Sequence, residues 1–423
     1  GEFIAKYPTA KHITYDANSS SAILYANKAV FDKFVIPSYD FSKANVIVSI
    51  GADFLGTWIS PVEYARQYSK TRKIGKSKKQ MSRHYQFESV LSLTGANADY
   101  RSTIKPSQQG LVVAALYNEL AELAGRETIN TEPVKNVKFI DKAANDLWAN
   151  KGRSLVVCGS NDVSVQILIN KINQLLINYG NGVEIDVPSF QKQGDDAAMG
   201  SFIENVKKGN ISAVIFYNAN PVYDHPSGSD LVDALKNVSL KVSFGDRVDE
   251  TASLCDYICP DHHYLEAWND AEPKKGYFSL GQPTISPIFK TRAAQESLLK
   301  WANIQKDYYS YLKESWKSNL FPLQTKYASF QKFWDKSLHD EVFEIAPNID
   351  YTSIHEEDVS RKDAKFAKGK NKKTLRSLRL GEKKMEGEKS FSTALNDLAS
   401  KINKKYKANA QGKIGRASCR ERV

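Results

Sequence analysis

Cysteine is scarce in this chain, and what there is has neither the spacing of cluster ligands nor the number a disulfide framework needs. The 423 residues hold four, Cys158, Cys255, Cys259 and Cys419. No two stand in a C-x-x-C pair, so nothing here is spaced to ligate an iron–sulfur cluster. Usage this sparse does not suggest a disulfide framework either. Long apolar runs are also missing. No stretch approaches the length of a membrane-spanning helix, so attachment to a membrane is expected to come through a partner or through a segment not in this sequence. No G-x-G-x-x-G loop is formed, and no nucleophile stands in a hydrolase motif.

A basic face is missing too, although the net charge is +11. Of the 59 Lys and Arg, 20 lie after residue 360, with only 6 of the 48 Asp and Glu. Residues 1–360 therefore carry 39 basic and 42 acidic groups. Charge gathered in one terminal run is no nucleic-acid surface, and no nucleic-acid partner is expected.

What is present is a repeating strand–turn–helix pattern. Val46 to Ile50 (VIVSI) is a continuous β-branched run of the kind buried in a parallel sheet. It ends in Gly51-Ala52-Asp53, where glycine lets main-chain amides approach an anionic or polar ligand. Lys11 to Tyr15 reads as a strand, Ala22 to Phe34 as a helix, and Pro37 as a break. Met81 to Phe87 alternates like a strand, Glu88 to Tyr100 reads as a cavity-lining loop, and Pro106 opens a helix.

From Val134 the pattern repeats. Ser154 to Cys158 is a strand ending in Gly159-Ser160-Asn161-Asp162, with Asn161 or Asp162 placed to cap the next helix. Ala213 to Tyr217 reads as a buried strand running into Asn218-Ala219-Asn220-Pro221. Alternation of this kind means α/β architecture with doubly wound parallel sheets, whose ligands sit outside the carboxyl ends of the strands. The expected organisation is a first lobe over 1–133, a second over 134–300, an aromatic-rich helical segment over 301–345, a linker or basic tail over 346–412, and a sequencing-adapter artefact over 413–423.

The stretch Gly245 to Arg292 concentrates polar chemistry. After the short run Tyr257 to Cys259 come Pro260, Asp261, His262, His263, Tyr264, Leu265 and Glu266. Asp261, His262, His263 and Glu266 could serve as acids and bases, or as a hydrogen-bonded corner that fixes one segment to another. Cys255, Cys259, His262 and His263 have the ligand types of a zinc site. However, the two cysteines fall on one face of an extended run, where free cysteine behaves as a small apolar residue. Asn220-Pro221 reads first as a plain turn.

Several segments together resemble the molybdopterin oxidoreductase family: VIVSIGADFLG (Val46 to Gly56), VVCGSND (Val156 to Asp162), INQLLINYGNGV (Ile172 to Val183), FYNANPVYDHP (Phe216 to Pro226), DETASLCDYICPDHHYLEAWND (Asp249 to Asp270) and QPTISPIFKTRAAQESLL (Gln282 to Leu299). Two further segments, YDANSSSA and MSRHYQFESVLSLTGANADYR (Met81 to Arg101), resemble more narrowly the B subunit of alternative complex III, a quinol:cytochrome c oxidoreductase.

The resemblance covers residues 1 to 345. It implies two Rossmann-like lobes and a periplasmic subunit that scaffolds and transfers electrons within a membrane-bound respiratory complex. The implied partners are a c-type cytochrome and quinol-binding membrane subunits. Iron–sulfur clusters would be held in a later part of the subunit that is missing here. Ser19 to Ser21 stand where active relatives place a metal-binding cysteine. The implied site is thus a vestigial pterin pocket of Gly51, Ala52, Asp53, Gly159, Ser160, Asn161, Asn220, Pro221, Asp261, His262, His263 and Glu266, without molybdenum cofactor. The alternative is a catalytic molybdopterin subunit like those of polysulfide or thiosulfate reductases.

Overall fold

A computed structural model describes residues 1–75, 79–345 and 386–410. In the last segment the side chains are described at 394 and from 396 to 408. The 413–423 run read as an artefact and most of the 346–412 tail lie outside the described residues. The chain divides into two units. The first comprises Ser19–Gln193 and the helix Glu386–Ala410; the second comprises Gly1–Asn18 and the chain from Gly194 to Ile345. The boundary therefore does not fall at 133/134. The strand at 154–158 belongs to the first sheet, where it lies directly beside the strand at 46–50.

In the first unit the strands are β1 (Ile36–Tyr39), β2 (Val46–Ile50), β3 (Arg83–Glu88), β4 (Tyr100–Thr103), β5 (Ser154–Cys158) and β6 (Val183–Ser189). Four of them make a parallel sheet in the order β4-β3-β2-β5. β2 is buried along its whole length, and the reason is in its alternation. Val46, Val48 and Ile50 point into a core formed with the helices Gln109–Leu123, Ile140–Ala149 and Val163–Leu175. Ile47 points to an opposite layer that holds Leu24 of the helix Ser21–Phe31 and Tyr64 and Tyr68 of the helix Pro61–Arg72. A strand covered on both faces needs apolar residues at nearly every position.

β1 is a departure from expectation, since Pro37 reads as a break. It pairs antiparallel with β6, and the register shifts between Ile36 and Ser38. Pro37 sits at that irregularity, where a missing N–H leaves no ladder bond unmade.

The segment expected to be a linker or basic tail also differs in its described part. Glu386–Ala410 is a helix. Ala399 and Ile402 are buried in the first core, with Leu398 and Tyr406 packed beside them. Asn403 accepts from the N–H of Glu132 and donates to the carbonyl of Asn130. Gly110 makes room for it: a Cβ there would lie 3.1 Å from Ile402. The segment has no core of its own, and it borrows one.

In the second unit β7 (Ala213–Phe216), β8 (Leu240–Ser243) and β9 (Tyr257–Ile258) form a parallel sheet. The sequence predicts a buried β7, but only Phe216 is buried. It is an edge strand: Val214 and Phe216 face the apolar cluster of this unit, while Ala213 and Ile215 are exposed. Lys11 to Tyr15 forms no strand. Next follow β10 (Asn269–Lys274), β11 (Tyr277–Gly281) and β12 (Val342–Glu344), an antiparallel group. The β10–β11 turn uses Gly276 at φ +84°, a left-handed conformation that glycine adopts without strain. Aromatic residues of the 301–345 segment pack together, among them Trp316, Phe333 and Trp334. Trp316 meets Trp334 edge-on at 5.9 Å, and its ring N–H donates to Asp270 at 2.9 Å.

Candidate functional site

Parallel sheets offer a ligand crevice where neighbouring strands connect in opposite directions. In the first unit that point lies between β2 and β5, because β3 and β4 are on one side of β2 and β5 is on the other. The loops leaving β2 and β5 meet there. A Cβ on Gly159 would lie 2.3 Å from the carbonyl oxygen of Gly51, so only glycine permits this approach. Gly51 itself has φ +63° and faces the side-chain amide of Gln109. Gly51, Ala52, Gly159, Ser160 and Asn161 are thus brought together, as the sequence implies.

What these groups do differs from phosphate binding. The N–H of Gly51 donates to Phe87 and that of Gly159 to Ile50, each extending a ladder of the sheet. The N–H of Ser160 points at the sulfur of Cys158, a thiol whose pKa burial raises to about 12. Gln166 donates to the carbonyls of Cys158 and Ser160.

Two helices begin at this crevice, and a helix N-terminus is a natural anion site. In the helix Ser21–Phe31 the first three N–H groups all have partners. Ser21 donates to the hydroxyl of Ser19 at 3.0 Å, Ala22 to the side-chain oxygen of Asn161 at 2.8 Å, and Ile23 to the carbonyl of Ser20. In the helix Val163–Leu175, Ser164 and Val165 donate to the carboxylate of Asp162. The other oxygen of that carboxylate is 2.7 Å from the ammonium of Lys405. The positive ends of both helices are met by the chain's own oxygens, and one of these is already an anion.

Asp53 serves the adjacent loop. Its Oδ1 accepts from the N–H and the hydroxyl of Thr94, at 3.0 and 2.7 Å. Beside it runs a buried polar strip not foreseen in the sequence. β3 turns Tyr85 and Phe87 to one core and His84, Gln86 and Glu88 to the other side, all buried. Gln86 donates to Glu88, and Ser92 and Arg101 also donate to it, the last through Nε at 2.5 Å. His84 lies within reach of the Tyr68 hydroxyl and Gln86. Burial lowers its pKa to about 4. The period-two spacing of His84, Gln86 and Glu88 was the available signal.

The remaining candidates lie in the second unit. The side-chain oxygen of Asn220 accepts from the N–H and hydroxyl of Thr251, and its amide donates to Glu250 at 2.8 Å. Pro221 starts a short helical turn. Asp261 accepts from the N–H groups of His262 and Ala294. His262 Nδ1 is 2.6 Å from the Thr291 hydroxyl. Glu266 accepts from the N–H groups of His263 and Ile288, and these bonds hold its pKa below the ordinary carboxylate range. These groups form a hydrogen-bonded corner. Cys255 packs against the neighbouring apolar cluster, and its thiol faces the carbonyl of Thr251. Among the described residues no three His, Cys, Asp or Glu side chains are placed to share a metal ion.

Residues 102–294 match the family model described as molybdopterin oxidoreductase, as the sequence resemblance implies. The menaquinone reductase, molybdopterin-binding-like subunit of Nitratidesulfovibrio vulgaris (strain Hildenborough) is 24% identical over 307 residues, 62% of this chain. The match spans 43% of that relative's length. Among solved structures, acetylene hydratase from Pelobacter acetylenicus superposes with a TM-score of 0.53 at 11% identity, over 78% of this chain and 56% of that one. At that identity the likeness is one of fold.

Proposed function

We propose that this chain is part of a molybdopterin-oxidoreductase-like subunit that scaffolds a quinone-linked respiratory complex of the alternative complex III type and holds no molybdenum cofactor. The carrying observation is the crevice between β2 and β5. Its glycine amides complete sheet ladders, and its helix N-termini are capped by Asn161 and Asp162. A pterin nucleotide brings phosphates that need such donors free, and here an aspartate would repel them. The residues present do not fit that group, and no chemical step is assigned to it.

The relative from Nitratidesulfovibrio vulgaris is named as a subunit of a menaquinone reductase, which supports a place among partner subunits. In this reading those partners are a c-type cytochrome and quinol-binding membrane proteins on the periplasmic side of the membrane. Electrons pass through iron–sulfur clusters held outside this fold. The test is metal analysis of the intact subunit together with extraction of its pterin as the fluorescent oxidation product. Absence of molybdenum, tungsten and pterin from folded protein is expected. Stoichiometric metal would reject the proposal in favour of a catalytic molybdopterin subunit.

A further inference from the structure

The run Asn178-Tyr179-Gly180-Asn181-Gly182 lies between the helix Val163–Leu175 and β6, and takes no part in the crevice or in the polar corner. It holds the one Asn-Gly pair of the chain, Asn181-Gly182. Such a pair is chemically active. The main-chain nitrogen of the second residue can attack the side-chain amide carbon of the first, and glycine has no Cβ to obstruct the approach.

The turn around this pair is tied down. Gly180 donates through N–H to the carbonyl of Val183, and Asn181 and Val183 both donate to the carbonyl of Asn178. Asn178 is fully buried and is bonded through its side chain to Ser154 and Asn173. The carbonyl of Gly182 accepts from the N–H of Asp40 at 2.8 Å. The N–H of Gly182 itself donates to no acceptor among the described residues. Gly182 has φ +154°, a backbone region kept almost wholly to glycine. A Cβ there would meet nothing nearer than the Asp40 oxygen at 3.8 Å, so that side of the residue is open.

Asn181 is exposed. Its amide donates to the carbonyl of Ile177 at 3.1 Å. One exposed hydrogen bond slows a step that breaks it by about tenfold at most. Gly182 is buried, but the two reacting atoms belong to adjacent residues, so burial does not keep them apart.

We infer that Asn181 is a site of spontaneous modification, at which the folded turn lets the Gly182 nitrogen close a succinimide ring. A bond forms between that nitrogen and Cγ of Asn181. The Cγ–Nδ2 bond breaks, and ammonia leaves with the proton of the Gly182 N–H. Water then opens the ring at either carbonyl, giving aspartate or isoaspartate. Nothing is oxidised or reduced. Either product puts a carboxylate where a neutral amide stood, and isoaspartate also lengthens the main chain by one carbon. A turn pinned on both sides cannot absorb that carbon and keep its bonds to Asn178, Val183 and Asp40 together. Those bonds fix the start of β6, where Val183 pairs with Tyr39 of β1. The modification therefore loosens the β1–β6 pair.

The test is incubation of the full chain in mildly alkaline buffer, followed by mass spectrometry of the tryptic peptide 172–192 and labelling with an L-isoaspartyl methyltransferase. Conversion at Asn181 is expected, with isoaspartate as the main product, at a rate within about tenfold of that in the free peptide. Asn97 is the internal control. It is exposed, and its amide makes the same bond to a carbonyl four residues back, that of Leu93, but Ala98 follows it. It is expected to stay intact. Asn181→Gln is expected to abolish the isoaspartate label, and the side chain is exposed, so folding is not at risk. In the converted chain the amides of Asp40 and Val183 are expected to lose protection from hydrogen exchange. An intact Asn181, conversion more than about tenfold slower than in the peptide, equal conversion at Asn97, or a label that persists in Asn181→Gln overturns the inference. Full protection at Asp40 and Val183 after conversion overturns the consequence drawn for β6.

Discussion

The side-chain oxygen of Asn161 accepts a hydrogen bond from the main-chain N–H of Ala22 at 2.8 Å, across 139 positions of sequence. One turn of the β5 loop thereby caps a helix that lies far away in the chain. An N-cap oxygen of this kind contributes about 1 kcal/mol. Asn161→Ala is expected to lower the stability of the first unit in urea by that amount, while Asn161→Asp should keep the midpoint or raise it, because a carboxylate suits a helix N-terminus. Equal midpoints for Asn161→Ala and wild type would remove the cap from the account of the crevice.

Glu88 sits under the loop that follows β3 and has no room to move. Its carboxylate is shared among Gln86, Ser92 and Arg101, and a Cβ on Gly95 would lie 1.8 Å from its oxygen. Hydrogen bonds to a buried charge contribute about 1.5–3 kcal/mol. Glu88→Gln is therefore expected to lose about 2 kcal/mol in chemical denaturation, and Gly95→Ala to lose stability by displacing the same carboxylate. If Gly95→Ala unfolds at the wild-type midpoint, the loop is softer than this packing implies.

The sequence carries the parallel sheet of the first unit openly, since VIVSI has no polar face to hide and both sides of β2 are covered. It carries the glycine meeting at 51 and 159 as well. What is not legible is direction. The amides of Gly51 and Gly159 are available to a ligand on paper, and only the register of β2 with β3 and β5 shows them already bonded. Pro37 reads as a break because the bulge that tolerates it is made by β6, far along the chain. Leu398, Ala399, Ile402 and Tyr406 do follow helical spacing, but the lysines between them lower the mean hydropathy until the stripe is lost. The acids and imidazoles at 261–266 look like a catalytic cluster because their partners, at 288–294, lie in a separate stretch of sequence.

His84 links stability to pH. Its folded pKa is lowered to about 4 by burial, against about 6.5 in an unfolded chain. The unfolded state therefore binds a proton first as pH falls. The contribution of neutral His84 is fully present above about pH 6.5 and is lost progressively toward pH 4, with a ceiling of about 3 kcal/mol. The charged groups around it are Asp99, Arg72 and Glu88. In His84→Gln the fall in midpoint between pH 7 and pH 4 is expected to be shallower. A slope unchanged by the substitution would assign the acid sensitivity to other groups.

The helix Glu386–Ala410 gives the last prediction, because its role depends on packing and not on charge. Ile402 is 5% exposed and lies against Val165 and Gly110 of the first core. Removing its side chain beyond Cβ leaves a cavity that costs about 2 kcal/mol or more. Lys405 is largely exposed at its pair with Asp162, and such pairs contribute little in solution. Ile402→Ala is thus expected to lower the midpoint of the first unit clearly, and Lys405→Ala hardly at all. Asp162 caps the helix Val163–Leu175 whether or not the lysine is present, so the crevice keeps its shape in Lys405→Ala. Hydrogen exchange provides the independent reading: amides of the helix Gln109–Leu123 should exchange faster in Ile402→Ala and at the wild-type rate in Lys405→Ala. The reverse pattern would mean that this helix is held to the first unit by its lysines, and that the apolar stripe of 398, 399, 402 and 406 has been given a role it does not have.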